Sequence, residues 1–210
     1  DVWSKIHRDR LRGLSGSSLS YQEAPGWKPL RHAISDYTRA FRGVRCTPEQ
    51  VFMTAGTQQA IDLTLRLMLD PGDTVLIEDP GYWRAKAAIH ANGARSIPLP
   101  VDENGASIQA CDSAANNAKM IYVTPSHQFP TGVTMPIDRR IELLEWAGDH
   151  DATIIEDDYD SVYSYSQPPI PSLQGLDRDQ RTFYIGSLSK LLYPSLGMGY
   201  IIVPSSLVEV

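Results

Sequence analysis

Residues 153–160 read TIIEDDYD, a short apolar run that ends in a cluster of acidic side chains. Almost wholly apolar runs of this length are typical of strands that are buried on both faces of a parallel sheet. Similar β-type runs recur along the chain at residues 50–54, 74–78, 94–99, 120–124, 182–185 and 199–203. Together with residues 153–156, they predict seven strands.

Amphipathic stretches separate these runs. Residues 58–69 and 138–149 have helical spacing, with an apolar stripe through Ile61 and Leu65 in the first and one through Ile141 in the second. The alternation of strands and helices predicts an α/β fold with a doubly wound, mostly parallel, seven-stranded sheet.

The first 45 residues differ from the rest. They are richer in arginine, and a Pro-Gly-rich segment at residues 25–29 precedes a helical stretch at residues 30–41. We therefore expect residues 1–45 to form an N-terminal arm and entry helix, and residues 46–210 to form one large domain. Neither end of the sequence resembles a natural boundary, so we expect a piece of a longer protein.

Composition narrows the classes of function. The chain is 42% hydrophobic and 21% charged, and its net charge of −6 argues against a broad surface that grips a nucleic-acid backbone. Two cysteines, Cys46 and Cys111, without a signal-like start favour a reducing cytoplasm over a disulfide framework. The apolar runs are too short to span a bilayer, so we expect no membrane association.

Ligands of open α/β sheets bind beyond the carboxyl ends of the strands, so the loops that follow the strands hold the candidate residues. After the first strand, Gly56, Thr57 and Gln58 open a helix, where free backbone N–H groups can hold a phosphate. The alternative is an ordinary N-cap made by Thr57.

After the second strand, Tyr82 could stack on a flat cofactor or could simply pack at the rim of the sheet. After the fifth strand, Glu156, Asp157, Asp158 and Asp160 form an acidic cluster. Because clustered like charges repel, one of these acids favours a buried cation such as a protonated pyridine nitrogen. A metal site and a solvated acidic loop are the alternatives.

After the sixth strand, Ser187, Ser189 and Lys190 follow a glycine. A lysine can form an imine with an aldehyde, and the two hydroxyls could reach a phosphate; the alternative is an exposed surface lysine. A phosphate cradle, a stacking aromatic, an acid for a ring nitrogen and a lysine, in this order, predict a site for pyridoxal phosphate (PLP).

The sequence resembles the fold-type-I aminotransferases, and more specifically the aminotransferase-like domain of MocR/GabR-type transcriptional regulators of the GntR family. The matching stretches cover most of the chain: PGWKPLRHAI, TAGTQQAIDL, PGDTVLIEDPGY, YVTPSHQFPTGV, IIEDDYDSVYSY, PIPSLQGLD and GSLSKLLYPSL. EDDYDS and PIPSLQGLD favour the regulators over metabolic aminotransferases. The resemblance implies the large domain of the fold, without the small C-terminal domain that follows it in the family.

The resemblance also assigns roles. Lys190 would form the Schiff base, Asp157 would pair with the pyridine nitrogen, and Tyr159 would bond the phenolic oxygen of the cofactor. Further residues implied at the site are Tyr82 on the ring, Gly56, Thr57, Gln58 and Ser187 around the phosphate, Arg84 and His127 toward an effector, and Tyr21 reaching the phosphate of a neighbouring subunit. The Tyr21 assignment implies a homodimer with shared sites. For His127, a purely structural role is the alternative.

Two positions depart from the family pattern. Gly197 stands where the family has an arginine that grips the phosphate, and Phe129 stands where typical aminotransferases have an asparagine. A lost charge-assisted bond to phosphate costs about 1.5–3 kcal/mol, so we expect weaker PLP binding.

The resemblance implies an effector sensor that binds PLP and exchanges its Schiff base for an amino compound, with DNA contacted only through a domain outside this sequence. A working class I/II aminotransferase is the alternative, because the same cofactor residues would serve it. A third hypothesis, a scaffold that has lost the cofactor, rests on Gly197 alone.

Overall fold

A computed structural model of the chain describes residues 2–16, 20–21, 23–111, 113–161 and 170–209. Residues 162–165 of the IIEDDYDSVYSY stretch, residue 169, and residues 1, 17–19 and 22 of the proposed arm lie outside the described residues. The division at residue 45 stays a prediction.

Within the described residues, the strands form one mixed sheet in the order β1-β8-β7-β6-β5-β2-β3-β4. Their bounds are β1 Val51–Thr54, β2 Thr74–Asp79, β3 Arg95–Asp102, β4 Gly105–Ala106, β5 Met120–Val123, β6 Thr153–Asp158, β7 Thr182–Ser187 and β8 Gly199–Ile202. Five adjacent strands of this sheet are parallel to one another: β7, β6, β5, β2 and β3. Strand β8 is antiparallel to both of its neighbours, β1 and β7.

All seven predicted strands are present, and the number needs one correction. An additional strand, β4, has only two residues and pairs antiparallel with the end of β3, at Val101↔Ala106 and Asp102↔Gly105. The sequence between them gives a turn signal, and so short a strand has too few residues to show a period-2 pattern.

Helices cover both faces of the sheet, as the doubly wound prediction requires. The described helices are α1 Val2–Arg12, α2 Lys28–Arg42, α3 Thr57–Met68, α4 Trp83–Ala91, α5 Ile137–Asp149, α6 Leu173–Leu176 and α7 Leu188–Leu191. Apolar residues of α3 and α4 pack on one face of the sheet. Those of α2, α5 and α6 pack on the other. No helix among the described residues is long and apolar enough to cross a membrane.

The alternation of side chains along β6 separates its acids. Ile155 belongs to the apolar cluster on the α3–α4 face, so Asp157 points to that face as well. Glu156 and Asp158 point to the opposite face. Glu156 accepts hydrogen bonds from the backbone N–H groups of Leu173 and Gln174, both at 2.9 Å.

Asp158 has its own buried cation. The Nε of Arg42, at the end of α2, lies 2.7 Å from Asp158 Oδ2, and both side chains are buried. Tyr184 also donates to this carboxylate oxygen, at 2.5 Å. The sheet therefore leaves Asp157 as the one acid of residues 156–158 that faces α3 and α4.

Candidate cofactor site

A cavity of about 170 Å³ lies beyond the carboxyl ends of the parallel strands. The described residues that line it are Thr57, Tyr82, Tyr122, Thr124, Phe129, Asp157, Tyr159, Ser187 and Lys190. They come from the ends of β1, β2, β5, β6 and β7, so the parallel register brings together residues that are far apart in sequence.

Asp157 lies at the inner wall of the cavity and is only 4% exposed. Its Oδ2 accepts a hydrogen bond of 2.6 Å from the hydroxyl of Tyr122, while its Oδ1 is buried and has no hydrogen-bond partner among the described residues. Burial raises the pKa of Asp157 to about 7, against the opposing effect of the Tyr122 hydrogen bond. A buried carboxyl oxygen without a partner is costly, and a protonated ring nitrogen beside it would remove that cost.

Lys190 lies on the short helix α7 that follows β7. Because β6 and β7 are parallel neighbours with Asp157 paired to Ile185, the two residues reach the same end of the sheet. Lys190 is exposed, as the alternative of a surface lysine requires, yet it also lines the cavity. A lysine and a buried aspartate therefore line one cavity.

Two aromatic rings form a further wall. Tyr82 and Phe129 meet edge to face, with their centroids 5.6 Å apart and their planes at 77°. Tyr82 is half-buried and lines the cavity, so it is placed to contact a flat ring rather than only to pack at the rim of the sheet.

The N-terminus of α3 and the end of β7 meet at another side of the cavity, where Thr57 and Ser187 line it. The N-cap of α3 is Gly56, with φ of 87°, and no side chain caps this helix end. The N-cap alternative for Thr57 is therefore wrong. A Cβ on Gly199 would lie 2.9 Å from the carbonyl carbon of Gly56, so this close approach of the two backbones requires glycine at position 199.

Three residues predicted around a phosphate, Gly56, Gln58 and Ser189, do not line the cavity. The side-chain amide of Gln58 donates to the backbone oxygen of Arg84 at 3.4 Å, and Ser189 donates to the backbone oxygen of Met198 at 3.4 Å. Gln58 does keep a buried Oε1 without a partner among the described residues.

The side of the cavity near Tyr159 is tied to His127. The Tyr159 hydroxyl donates to the backbone oxygen of His127 at 3.0 Å, and burial raises the pKa of Tyr159 to about 12. The His127 ring lies 2.7 Å from Asp160 Oδ1 and does not line the cavity. This geometry favours the structural role for His127.

Two other predicted residues lie outside the cavity. Arg84 is exposed and its guanidinium lies 5.1 Å from the centre of the Trp83 ring. Tyr21 is fully exposed, as a residue that serves a neighbouring subunit would be in a single chain.

The structure also bears on the two alternatives for the acidic cluster, a solvated loop and a metal site. Glu156, Asp157 and Asp158 are all buried, so a solvated acidic loop is excluded for these three. Across the described parts of the chain, no group of three or more histidine, cysteine, aspartate or glutamate side chains is arranged to hold a metal ion.

Sequence reasoning missed Tyr122 and Thr124 as cavity residues. Both belong to an apolar run, and only the pairing of β5 with β6 brings Tyr122 to Asp157. A tyrosine within a buried strand was the available signal, because a buried hydroxyl needs a partner.

The family model for aminotransferase class I and II matches residues 1–210, the whole chain. The chain belongs to this family. Membership implies PLP as the cofactor, and the carboxylate, amine and aromatic wall described above fit that molecule.

Transcriptional regulators are among the curated relatives. The chain is 40% identical over 208 residues to the probable rhizopine catabolism regulatory protein MocR of Rhizobium meliloti, covering 99% of this chain and 42% of that protein. It is 44% identical over 180 residues to the uncharacterized HTH-type transcriptional regulator YdeL of Bacillus subtilis, covering 86% of this chain and 38% of that protein. The chain thus spans less than half the length of these relatives.

The fold also matches solved aminotransferases. The kynurenine aminotransferase of Pyrococcus horikoshii, solved in complex with PMP, superimposes with a TM-score of 0.90 at 29% identity. The match covers 98% of this chain and 52% of the enzyme. The predicted large domain of an aminotransferase-type fold is confirmed.

Proposed function

We propose that this chain is the PLP-binding, effector-sensing part of a transcriptional regulator, in which Lys190 forms a Schiff base with the cofactor and gives it up to an amino compound. The observation that carries the proposal is the cavity that Lys190 and Asp157 both line, with Asp157 Oδ1 buried and without a hydrogen-bond partner among the described residues. PLP supplies an aldehyde that condenses with amines and a ring that withdraws electrons when its nitrogen is protonated.

The residues around the cavity have distinct roles in this proposal. Asp157, held through Oδ2 by Tyr122, would keep a proton on the ring nitrogen, and Tyr82 would contact the ring. Thr57 and Ser187, with the N–H groups at the start of α3, would hold the phosphate. Gly56, Gln58 and Ser189 support this end without lining the cavity.

Tyr159 contributes on the phenolic side of the cofactor. Its hydroxyl hydrogen points to the His127 backbone oxygen, so it must turn to donate to a bound molecule. Arg84 is exposed and lies outside the cavity lining, and its guanidinium would attract an anionic effector.

The regulatory assignment rests on the relatives. The two regulators are 40% and 44% identical to this chain, against 29% for the kynurenine aminotransferase. We therefore place the protein in the cytoplasm, as a homodimer in which Tyr21 of one subunit completes the site of the other. DNA contact would come from a separate domain, because a net charge of −6 disfavours binding of this chain to the negatively charged DNA backbone.

A working aminotransferase is the second candidate, favoured by the TM-score of 0.90 with a solved enzyme. Lys190 would then also move a proton as a general base. The two candidates share every cofactor residue, so only the outcome after amine binding separates them.

The test uses the whole PLP-loaded protein and a panel of amino acids and other amines. We expect one class of amine to shift the Schiff-base absorbance band and to change the affinity for promoter DNA, with no turnover of a 2-oxo acid. Steady turnover that Lys190→Ala abolishes, without any change in DNA binding, would establish the aminotransferase instead.

A further inference from the structure

Glu78 is a buried acid that the roles above do not use. It lies near the end of β2, is 3% exposed, and does not line the cavity. Its Oε2 accepts hydrogen bonds from the backbone N–H of Thr124 at 3.2 Å and from the Thr124 hydroxyl at 2.6 Å. Its Oε1 is buried without a partner among the described residues. Apolar packing alone would be served better by an aliphatic side chain, because a buried carboxylate is costly to desolvate.

The Thr124 hydroxyl connects Glu78 to the cavity wall. It donates to Glu78 and accepts a hydrogen bond of 3.0 Å from the backbone N–H of Phe129. Thr124 and Phe129 both line the cavity, and the Phe129 ring packs edge to face on Tyr82. A chain of hydrogen bonds thus runs from the buried acid to the aromatic wall.

Gln128 forms a second connection. Its side-chain amide donates to the backbone oxygens of Pro80 at 2.8 Å and Phe129 at 2.6 Å, and it lies 3.3 Å from Glu78 Oε2. Pro80 belongs to the loop that leads from β2 to Tyr82. Glu78 therefore lies where hydrogen bonds of Gln128 connect the loop that carries Tyr82 to the loop that carries Phe129.

We propose that Glu78 is a positioning residue for the cofactor site, which acts through Thr124 and Gln128 to hold Phe129 and Tyr82 against the bound ring. The inference rests on the proposed function, since it takes the cavity to be the PLP site. Phe129 has no polar group with which to orient a cofactor, so its placement must come from the backbone behind it.

The hydrogen bonds that Glu78 accepts favour its ionised form, which suits a positioning role. Burial raises its pKa to about 7, while its hydrogen bonds from Thr124 and Gln128 act in the opposite direction because they favour the ionised carboxylate. An ionised acceptor makes stronger hydrogen bonds than a neutral one, and stronger bonds fix the loop more firmly.

The test compares Glu78→Ala, Thr124→Val and Thr124→Ser in the whole protein. Thr124→Val removes the bridging hydroxyl, and Thr124→Ser keeps it. We expect Glu78→Ala and Thr124→Val to raise the Kd for PLP about tenfold, because each loses a hydrogen bond to a charged group. The Kd of Thr124→Ser should stay within about threefold of the wild-type value. The double variant Glu78→Ala/Thr124→Val should be no worse than either single variant by more than about threefold, because both break the same connection.

Two further readouts separate positioning from simple stability. The circular dichroism of the cofactor band should change in Glu78→Ala and Thr124→Val but not in Thr124→Ser, because the ring contacts move only in the first two. In the cofactor-free protein, amide exchange across residues 124–131 should accelerate in the same two variants. Glu145→Ala changes an exposed acid on α5; it is the matched control and should change none of these values.

An unchanged Kd, dichroism band and amide exchange in Glu78→Ala would overturn the inference even where its melting temperature falls. If Glu78→Ala does not fold, equal behaviour of Thr124→Val and Thr124→Ser overturns it. Accelerated exchange in variants of a protein whose wild type forms no lysine-dependent band would instead mean that Glu78 holds the loop and that the PLP assignment fails.

Discussion

Asp157 and Tyr122 show how a single hydrogen bond prepares this site. The Tyr122 hydroxyl occupies Oδ2 of the buried carboxyl, which leaves Oδ1 for a ligand. That bond also favours the ionised form of Asp157, against the effect of burial. The pair therefore holds the carboxylate of a residue that lines the cavity and leaves its Oδ1 without a donor among the described residues.

Tyr122→Phe tests this arrangement. Phenylalanine keeps the packing of a side chain that is 1% exposed but leaves Oδ2 without a donor. We expect the Kd for PLP to rise about tenfold, the loss of one hydrogen bond to a charged group. Titration of the cofactor absorbance measures it. An unchanged Kd would show that Tyr122 does not orient Asp157.

Gly197 stands where the family resemblance implies an arginine that binds the phosphate. It adopts φ of 60°, a left-handed conformation, and a Cβ there would meet no described atom within 4 Å. Arginine at this position would therefore fit, at a backbone cost of roughly 1–2 kcal/mol. We expect Gly197→Arg to lower the Kd for PLP about tenfold or more through a charge-assisted bond to the phosphate.

Gly197→Ala is the matched control for that change, because it has the same backbone strain without the guanidinium. Equal Kd values for the two variants would show that no arginine from this position reaches the phosphate.

The sequence predicted Lys190, Asp157, Tyr82, Thr57 and Ser187 for this cavity because each follows or ends a strand, and parallel strands end at one edge. It could not predict Tyr122, whose role depends on the register of β5 against β6. It placed Gln58 and Ser189 in the site, yet both side chains donate to backbone oxygens outside the cavity. Which of several neighbouring polar residues faces a cavity depends on local backbone angles that composition does not reveal.

At the scale of elements, α2 is joined to β6 by the buried Arg42–Asp158 ion pair. Arg42 also donates to Ser126 at 2.6 Å, so one guanidinium holds the helix, the strand and the loop beside the cavity. Asp158 adjoins Asp157 in sequence, which means that the position of α2 is coupled directly to the strand that presents the cofactor acid.

Arg42→Met should lower the free energy of unfolding by about 3–5 kcal/mol, because it leaves the buried Asp158 carboxylate without its cation. Urea denaturation of the cofactor-free protein measures this. Arg66→Met removes an exposed ion pair with Asp62 and should cost less than about 1 kcal/mol. Similar losses in the two variants would contradict the role assigned to Arg42.

Helix positions were predicted more closely than helix faces. The predicted stretch 138–149 matches α5, Ile137–Asp149, but the stripe through Ile141 is wrong. Ile141 is 41% exposed, whereas Leu143 and Ala147 are buried against the sheet with Arg140 beside them. The buried Arg140 donates hydrogen bonds to the backbone oxygens of Met135, Pro125 and Pro171. A charged residue thus lies on the buried face of α5, where hydrophobic periodicity predicts only apolar residues.

For the molecule as a whole, buried carboxyls make stability depend on pH. Burial raises the pKa of Asp157 to about 7 from 3.8 and that of Glu78 to about 7 from 4.5. The carboxyl groups of Asp157 and Glu78 thus stay protonated to a higher pH in the folded protein than in the unfolded chain. Their contribution to stability is complete below pH about 4 and is lost as pH rises to about 7.

Asp157→Asn isolates one of these groups. Between pH 4 and 7, the free energy of unfolding of the cofactor-free variant should fall less steeply than that of wild type, by up to roughly 1.4 kcal/mol per pH unit. Glu78→Gln should change the slope in the same direction. Parallel curves for wild type and Asp157→Asn would mean that Asp157 titrates alike in the folded and unfolded states.

The absorption spectrum of the purified protein with added PLP, recorded beside a Lys190→Ala variant, tests the central claim most directly. We expect a Schiff-base band in the wild type that is missing from the variant, because Lys190 and Asp157 line the same cavity. A band of equal intensity in both proteins, or in neither, would contradict the assignment of Lys190 as the residue that holds the cofactor.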